Sequence, residues 1–166
     1  VHQVPVIVVM GVSGSGKTTV GTALAEALGV EYAEGDDFHS PANIAKMAAG
    51  TPLDDDDRAP WLDALAAWMA GRSGRGGVVT CSALKRVYRD RLRASASDAF
   101  FLHLEVPRGE LRRRLVARHG HFMPASLLDA QLATLEPLDA DERGHVVDAT
   151  RPPEEVIRQA VTALGR

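Results

Sequence analysis

"VIVVMGVSGSGKTTVGTALAEALG", residues 6–29, decides the fold. Its first five residues are an unbroken apolar run bounded by glycine, which reads as a strand buried on both faces. From Thr18 onward, small and apolar residues recur at helical spacing and stop at Gly29, a residue suited to a helix C-terminus. Between the two lies Gly11-Val12-Ser13-Gly14-Ser15-Gly16-Lys17-Thr18, a full match to G-x-x-x-x-G-K-[ST]. A strand before and a helix after are the context that this phosphate-binding motif requires.

The motif carries its own chemistry. Backbone N–H groups ring the phosphate oxygens, and glycines allow that approach and the positive φ angles it needs. The helix N-terminus adds partial positive charge. Lys17 reaches the β- and γ-phosphates of a nucleotide, and the Thr18 hydroxyl holds Mg²⁺. Gly11, Ser13, Gly14, Ser15, Gly16, Lys17, Thr18 and Thr19 are therefore the expected ATP-phosphate residues.

Outward from this stretch, strand-like runs alternate with helical patterns. "VEYA" from residue 30, "GVVTC" from 77, "AFFLHLEV" from 99 and "HVVDA" from 145 are the further strands. "PWLDALAAWMAG" from residue 60 places Trp61, Leu62, Leu65, Trp68 and Met69 on one helical face. Ser40 and Pro41 read as the N-cap and first turn of another helix, and Pro152 and Pro153 precede a last one with an apolar stripe from Val156 to Leu164. Alternation of this kind implies parallel strands with helices on both sheet faces. The expected class is α/β, with five parallel strands in three layers and one domain over residues 1–166.

Composition sets outer bounds. Hydrophobic residues are 45% and charged residues 25%, which excludes a disordered or fibrous chain. A net charge of −3 gives no general attraction to nucleic acid or membrane, and aromatics at 5% argue against a base-stacking surface. The apolar opening is too short to span a bilayer. Cys81 stands alone, so no internal disulfide forms and a cytoplasmic setting is expected. Charge is unevenly spread: residues 31–63 carry nine acids against two bases, and residues 85–118 carry ten bases against four acids.

A phosphate cradle does not say where the phosphate goes. The third strand ends in "VVTC" without the aspartate that would usually hold the metal, so Asp36 or Asp37 at the end of the second strand is the nearest carboxylate for that task. One carboxylate near the γ-phosphate can also accept the proton of an acceptor hydroxyl.

Three stretches fall at strand C-termini, where α/β folds bind ligands: "EGDDFHSPANIAKM", "CSALKRVYRDRLR", and "RRRLVARHGHFM" running into a lid. With the phosphate loop and "GTPLDDDDRAPW" at residues 50–61, they resemble the gluconate kinases, P-loop kinases related to shikimate and adenylate kinases. The resemblance runs from about Val6 to about Asp148. It implies ATP- and Mg²⁺-dependent phosphorylation of D-gluconate to 6-phosphogluconate by a cytoplasmic homodimer, in a P-loop kinase domain whose lid covers about residues 114–136. The alternatives are a kinase of another small polyol or acid such as shikimate, and a regulatory ATPase that cycles nucleotide without a small acceptor.

The resemblance also implies roles for individual residues. Asp36 is the catalytic base and, with Thr18, the metal-side group. His39 contacts the acceptor, and Asn43 and Lys46 border its pocket. Asp55, Asp57 and Arg58 match an acid-acid-arginine motif facing the acceptor or bracing Arg58. Asp54 and Asp56 are expected to be solvated or to cap the adjoining helix. Because gluconate is an anion, Lys85, Arg89, Arg58, Lys46 and His39 are available to its carboxylate, with Lys85 and Arg58 favoured and Ser82 offering a hydroxyl. Arg114 lies against adenine. Arg118 closes over the transferring phosphates and His121 joins the lid. Lys17 and Arg118 complete the catalytic set. Two positions depart from the pattern: Asp54 replaces threonine or asparagine, and Ser40 replaces proline.

Overall fold

Side chains alternate along Val6–Met10, so this strand builds two cores at once. Ile7 and Val9 pack with Val20, Leu24, Val156 and Ala160 on one side; Val6, Val8 and Met10 pack with Trp61, Leu65, Met69 and Leu92 on the other. The computed structural model describes residues 4–117 and 125–165. Its elements, in chain order, are β1 (Val6–Met10), α1 (Lys17–Leu28), β2 (Tyr32–Ala33), a 3₁₀ turn (Gly35–Phe38), α2 (Pro41–Ala48), α3 (Asp55–Ala70), β3 (Gly77–Thr80), α4 (Arg86–Ser95), β4 (Phe100–Glu105), α5 (Arg108–Ala117), α6 (Ala125–Thr134), β5 (Gly144–Asp148) and α7 (Pro153–Ala163).

The strands form one wholly parallel sheet in the order β2-β3-β1-β4-β5, with Val8 in register with Val79 on one side and Phe101 on the other. Helices α1 and α7 cover one face and α3 and α4 the other, giving the expected three-layer α/β architecture. The chain leaves β1 toward β2 and β3, then crosses to β4 on the opposite side. That reversal opens a crevice at the C-terminal end of β1, the place where such sheets bind ligands.

Three local features differ from the sequence reading. Strand β2 shortens to two residues because the chain turns at once into the 3₁₀ segment. Edge strand β5 leaves Val146 44% exposed. Helix α3 begins at Asp55 and carries Pro60 inside it. Its start is fixed by aspartates alone: the Asp54 carboxylate accepts from Asp57 N–H (2.7 Å), and Asp57 Oδ2 accepts from Asp54 N–H (3.1 Å). This reciprocal capping box satisfies two amides, and the run of negative charge complements the positive end of the helix. The capping expected for Asp54 is thus present. Ser40 likewise caps α2, its Oγ accepting from Asn43 N–H at 3.1 Å.

Gly35 sets the position of the 3₁₀ turn. A Cβ there would lie 1.7 Å from the Thr80 carbonyl oxygen, so only glycine lets the turn press on the end of β3. Gly35 N–H donates to Thr80 Oγ1 (2.9 Å), and its carbonyl accepts from Trp61 Nε1–H (2.8 Å). Asp36, the next residue, is held at the crevice by these contacts of Gly35 and by its own carbonyl, which accepts from His39 N–H (3.2 Å).

Candidate active site

The loop after β1 ends at Gly16, whose φ of 95° turns the chain into α1. Lys17 Nζ donates to the carbonyls of Gly11 (3.0 Å) and Val12 (2.9 Å), which holds the ammonium over the loop. Ser13 N–H donates to Gln131 Oε1 at 2.7 Å, bringing α6 against the loop. A phosphate oxygen in the cradle would compete for that same amide.

Beside the loop stands a carboxylate to which the sequence reading gives no role. Glu34 accepts from Thr18 Oγ1 (2.8 Å) and Tyr32 Oη (2.6 Å) through one oxygen and from Thr80 Oγ1 (2.9 Å) through the other. Burial and the adjoining carboxylate together push the Tyr32 hydroxyl well above its usual range, so it remains a donor. With its proton directed at Glu34, the Thr18 hydroxyl keeps its lone pairs for an incoming cation. The only signal in the sequence is position: Glu34 directly follows β2 and precedes the Gly-Asp pair.

Ser13, Lys17, Asp36, His39, Arg58 and Ser82 line one cleft, with Met47, Trp61, Leu84 and Gln131 among its other walls. The His39 ring stacks on Trp61, with centroids 4.3 Å apart and planes 11° from parallel. Burial holds the His39 imidazole below its ordinary pKa, outweighing the nearby Asp36 charge, while Arg58 acts in the same direction as burial. The tautomer is set by Asn43. Its Nδ2 donates to the Asp57 carbonyl (2.8 Å) and lies 3.3 Å from His39 Nδ1. An amide nitrogen can only donate, so Nδ1 accepts and Nε2 carries the proton. Arg58 Nη1 donates to Tyr88 Oη (2.9 Å), its guanidinium lies 5.3 Å from the Tyr88 ring centre, and the Tyr88 hydroxyl donates to Asp55. Asp55 therefore braces Arg58 through the tyrosine. Cys81, behind the cleft, is buried, and burial pushes its thiol up to about 12, which removes it as a nucleophile.

Other expected residues lie elsewhere. Asp57 spends its oxygens on the capping box and on Lys46 (2.8 Å), so neither of these two lines the cleft. Lys85 sits at the outer mouth with Asp54, Asp55, Asp56 and Arg58, and its Nζ is 3.4 Å from Asp55. Arg89, expected at the acceptor, is fully buried and paired with Glu142 (2.7 Å). It cannot meet a ligand in the cleft: the amphipathic pattern of α4 turns it inward, and Glu142 lies 53 positions away in sequence. Arg118 and His121 lie outside the described residues.

A second groove opens on the other side of the loop, between Gly14, Gly16, Thr19, Arg114, Ala149, Arg151 and Pro153. Arg114 is fixed flat, its Nη1 donating to the Gly14 carbonyl (3.0 Å), Nη2 to the Ala149 carbonyl (2.9 Å) and Nε toward Glu110 (3.4 Å). A guanidinium held in its own plane offers a face for a planar ring. Arg151 and Pro153 line this groove too, and the only mark they carry in the sequence is their place just after a strand C-terminus.

Residues 6–138 match the family model described as an AAA domain. A gluconokinase from Gluconobacter oxydans is 50% identical over 157 residues, covering 93% of this chain and 88% of its own. Among solved structures, a sugar kinase from a Janibacter species superposes with a TM-score of 0.93 at 54% identity, covering 98% of this chain and 95% of its own. A gluconokinase from Sinorhizobium meliloti gives 0.90 at 50% identity, covering 99% and 94%.

Proposed function

The chain belongs to the gluconokinase family of P-loop kinases, and we infer on that premise that it transfers the γ-phosphoryl group of ATP to D-gluconate, forming 6-phosphogluconate and ADP. One observation within the molecule carries the reading: Lys17 and Ser13 of the phosphate loop share a single cleft with Asp36, His39, Arg58 and Ser82. Phosphate donor and polar acceptor groups thus face the same space.

The chemistry is positioning and charge neutralisation. The loop amides and Lys17 hold the triphosphate, while Arg114 supports the base in the second groove. Asp36 accepts the proton of the terminal hydroxyl as its oxygen approaches the γ-phosphorus. Arg58, stiffened by Tyr88 and Asp55, meets the gluconate carboxylate, with Lys85 at the outer mouth adding positive charge. His39 donates through Nε2 and Ser82 through its hydroxyl to the polyol. Thr18, oriented by Glu34, and Asp36 supply oxygen donors of the kind Mg²⁺ takes alongside phosphates and waters. When bound, Mg²⁺ would neutralise charge on the phosphate oxygens. Arg118 and His121, outside the described residues, are assigned to the lid by resemblance. The same reading makes the enzyme a cytoplasmic homodimer; no helix among the described residues is long and apolar enough to cross a membrane.

The test is ADP release from MgATP with D-gluconate, shikimate and other sugar acids as separate acceptors. Saturable turnover with gluconate is expected. Equal rates without any acceptor would point instead to a nucleotide-cycling ATPase, and preference for shikimate would move the assignment to that substrate.

A further inference from the structure

The backbone that presents Ser82 is unusual. Ala83 has φ 47°, the only positive φ at a non-glycine residue among those described. A side chain in this region is disfavoured, and glycine would take it freely. Ala83 is nevertheless fully buried, its methyl packed in the core beneath α3 and α4, so the position combines a core side chain with a glycine-like turn. Ser82 before it and Leu84 after it both line the cleft. The turn therefore decides where the Ser82 hydroxyl points.

Arg89 holds that turn from behind. Its Nη1 donates to the Ala83 carbonyl (2.8 Å) and to the Glu136 carbonyl (3.1 Å), and its Nη2 donates to the Pro137 carbonyl (3.2 Å). Nε and Nη2 fork onto Glu142 at 2.7 and 3.0 Å. Those contacts engage all five guanidinium hydrogens. Burial alone would push the Glu142 carboxyl up, but its bonds to Arg89, the Asp139 amide and Arg93 outweigh that and hold it at about 2. The neighbouring Leu84 carbonyl accepts from Glu136 N–H (2.6 Å), so two consecutive carbonyls of the turn are held, Ala83 by Arg89 of α4 and Leu84 by the segment before β5. A buried ion pair is a poor device for stability alone, since apolar residues of similar volume often replace it without loss.

We propose that Arg89, oriented by Glu142, is a positioning residue for the acceptor: it fixes Ala83 in its left-handed conformation and thereby aims Ser82 at the substrate. The proposal rests on the reading that Ser82 binds gluconate. Lysine could not substitute, because a point ammonium with three donors cannot span a carboxylate and three carbonyls in one plane.

The test compares KM for D-gluconate with KM for ATP, alongside thermal unfolding, in Ser82→Ala, Arg89→Lys, Glu142→Gln, Ala83→Gly and the Arg89→Lys/Ala83→Gly pair. Ser82→Ala and Arg89→Lys are expected each to raise the gluconate KM by about tenfold, the scale of one lost hydrogen bond, with the ATP KM nearly constant. Glycine at position 83 is expected to lessen the effect of Arg89→Lys, because it adopts positive φ unaided. An unchanged gluconate KM in Ser82→Ala overturns the reading of Ser82 and the proposal with it. A raised KM in Ser82→Ala with an unchanged one in Arg89→Lys overturns the proposal alone. So does a fall in unfolding temperature with both KM values moving together, or an undiminished effect in the double variant. Should Arg89→Lys fail to fold, the isosteric Glu142→Gln decides, and unchanged KM values for both substrates there refute the proposal.

Discussion

The phosphate loop and the acceptor cleft meet in one crevice but are made in opposite ways. The loop is a contiguous stretch whose working parts are main-chain amides, oriented by glycines such as Gly16. The cleft's proposed acceptor groups are side chains from the 3₁₀ turn and the residue after it, α3 and the loop after β3, and three of them are held by other residues. His39 leans on Trp61, Arg58 on Tyr88, and Ser82 on the turn at Ala83. Damage to the loop should therefore remove every step that uses ATP. Damage to the cleft should divide: reacting groups lower kcat, and supporting groups raise the KM for gluconate alone.

The largest effect belongs to the group that bridges the two regions. Asp36→Asn keeps the size and the Gly35 anchor but removes the proposed base. It is expected to leave ATP affinity intact and to lower kcat by about two to four orders of magnitude, the scale of a positioned general base. Near-normal turnover in that variant would mean the proton leaves by another route. A smaller effect is expected at Glu34, on the loop side. In Glu34→Gln the amide can donate to the Thr18 hydroxyl, turning its hydrogen toward the cation site. The Mg²⁺ concentration for half-maximal rate should rise by about tenfold or more, as for other groups that orient a metal ligand. An unchanged Mg²⁺ requirement at saturating ATP would show that Glu34 serves only to hold β2 to α1.

The same contrast explains what could be read from the chain. The motif from Gly11 to Thr18 needs only its neighbours, and the five strands announce themselves by apolar runs, so the three-layer sheet and the phosphate site were both legible. Asp36, His39, Arg58 and Ser82 were placed by resemblance, and the structure gathers them in one cleft. The partners were not legible, because each comes from a distant element. Gln131 reaches Ser13 across 118 positions and Glu142 reaches Arg89 across 53. For Arg89 the error was physical: a basic residue was expected to face an anion, whereas here a buried carboxylate and three backbone carbonyls occupy its guanidinium. In the four-aspartate run, the identity of the residues suggested ligand binding. Asp54 caps α3 as expected and Asp55 braces Arg58 through Tyr88, whereas Asp57 completes the cap and pairs with Lys46 rather than facing the cleft.

The smallest effect arises from that last point and tests where the cleft ends. Lys46 pairs with Asp57 at 2.8 Å, with 42% of the lysine side chain exposed. Its pKa is raised chiefly by the hydrogen bond to Asp57, against the effect of burial. A raised lysine pKa makes the pair's contribution complete below the ordinary lysine value and lost only as pH climbs through the raised one. On the partner's side, the same hydrogen bond holds the Asp57 carboxyl below its usual range. That side of the contribution is complete above the ordinary aspartate value and fades only as pH falls through the lowered one. Between these limits, across neutral pH, the pair is constant. Exposed pairs of this kind contribute little, so Lys46→Ala should change the gluconate KM by less than about two-fold and leave the pH profile near neutrality unaltered. A tenfold rise in gluconate KM with the unfolding temperature unchanged would carry the acceptor site from Met47, the α2 residue that already lines the cleft, to its neighbour and restore Lys46 to the substrate-binding set.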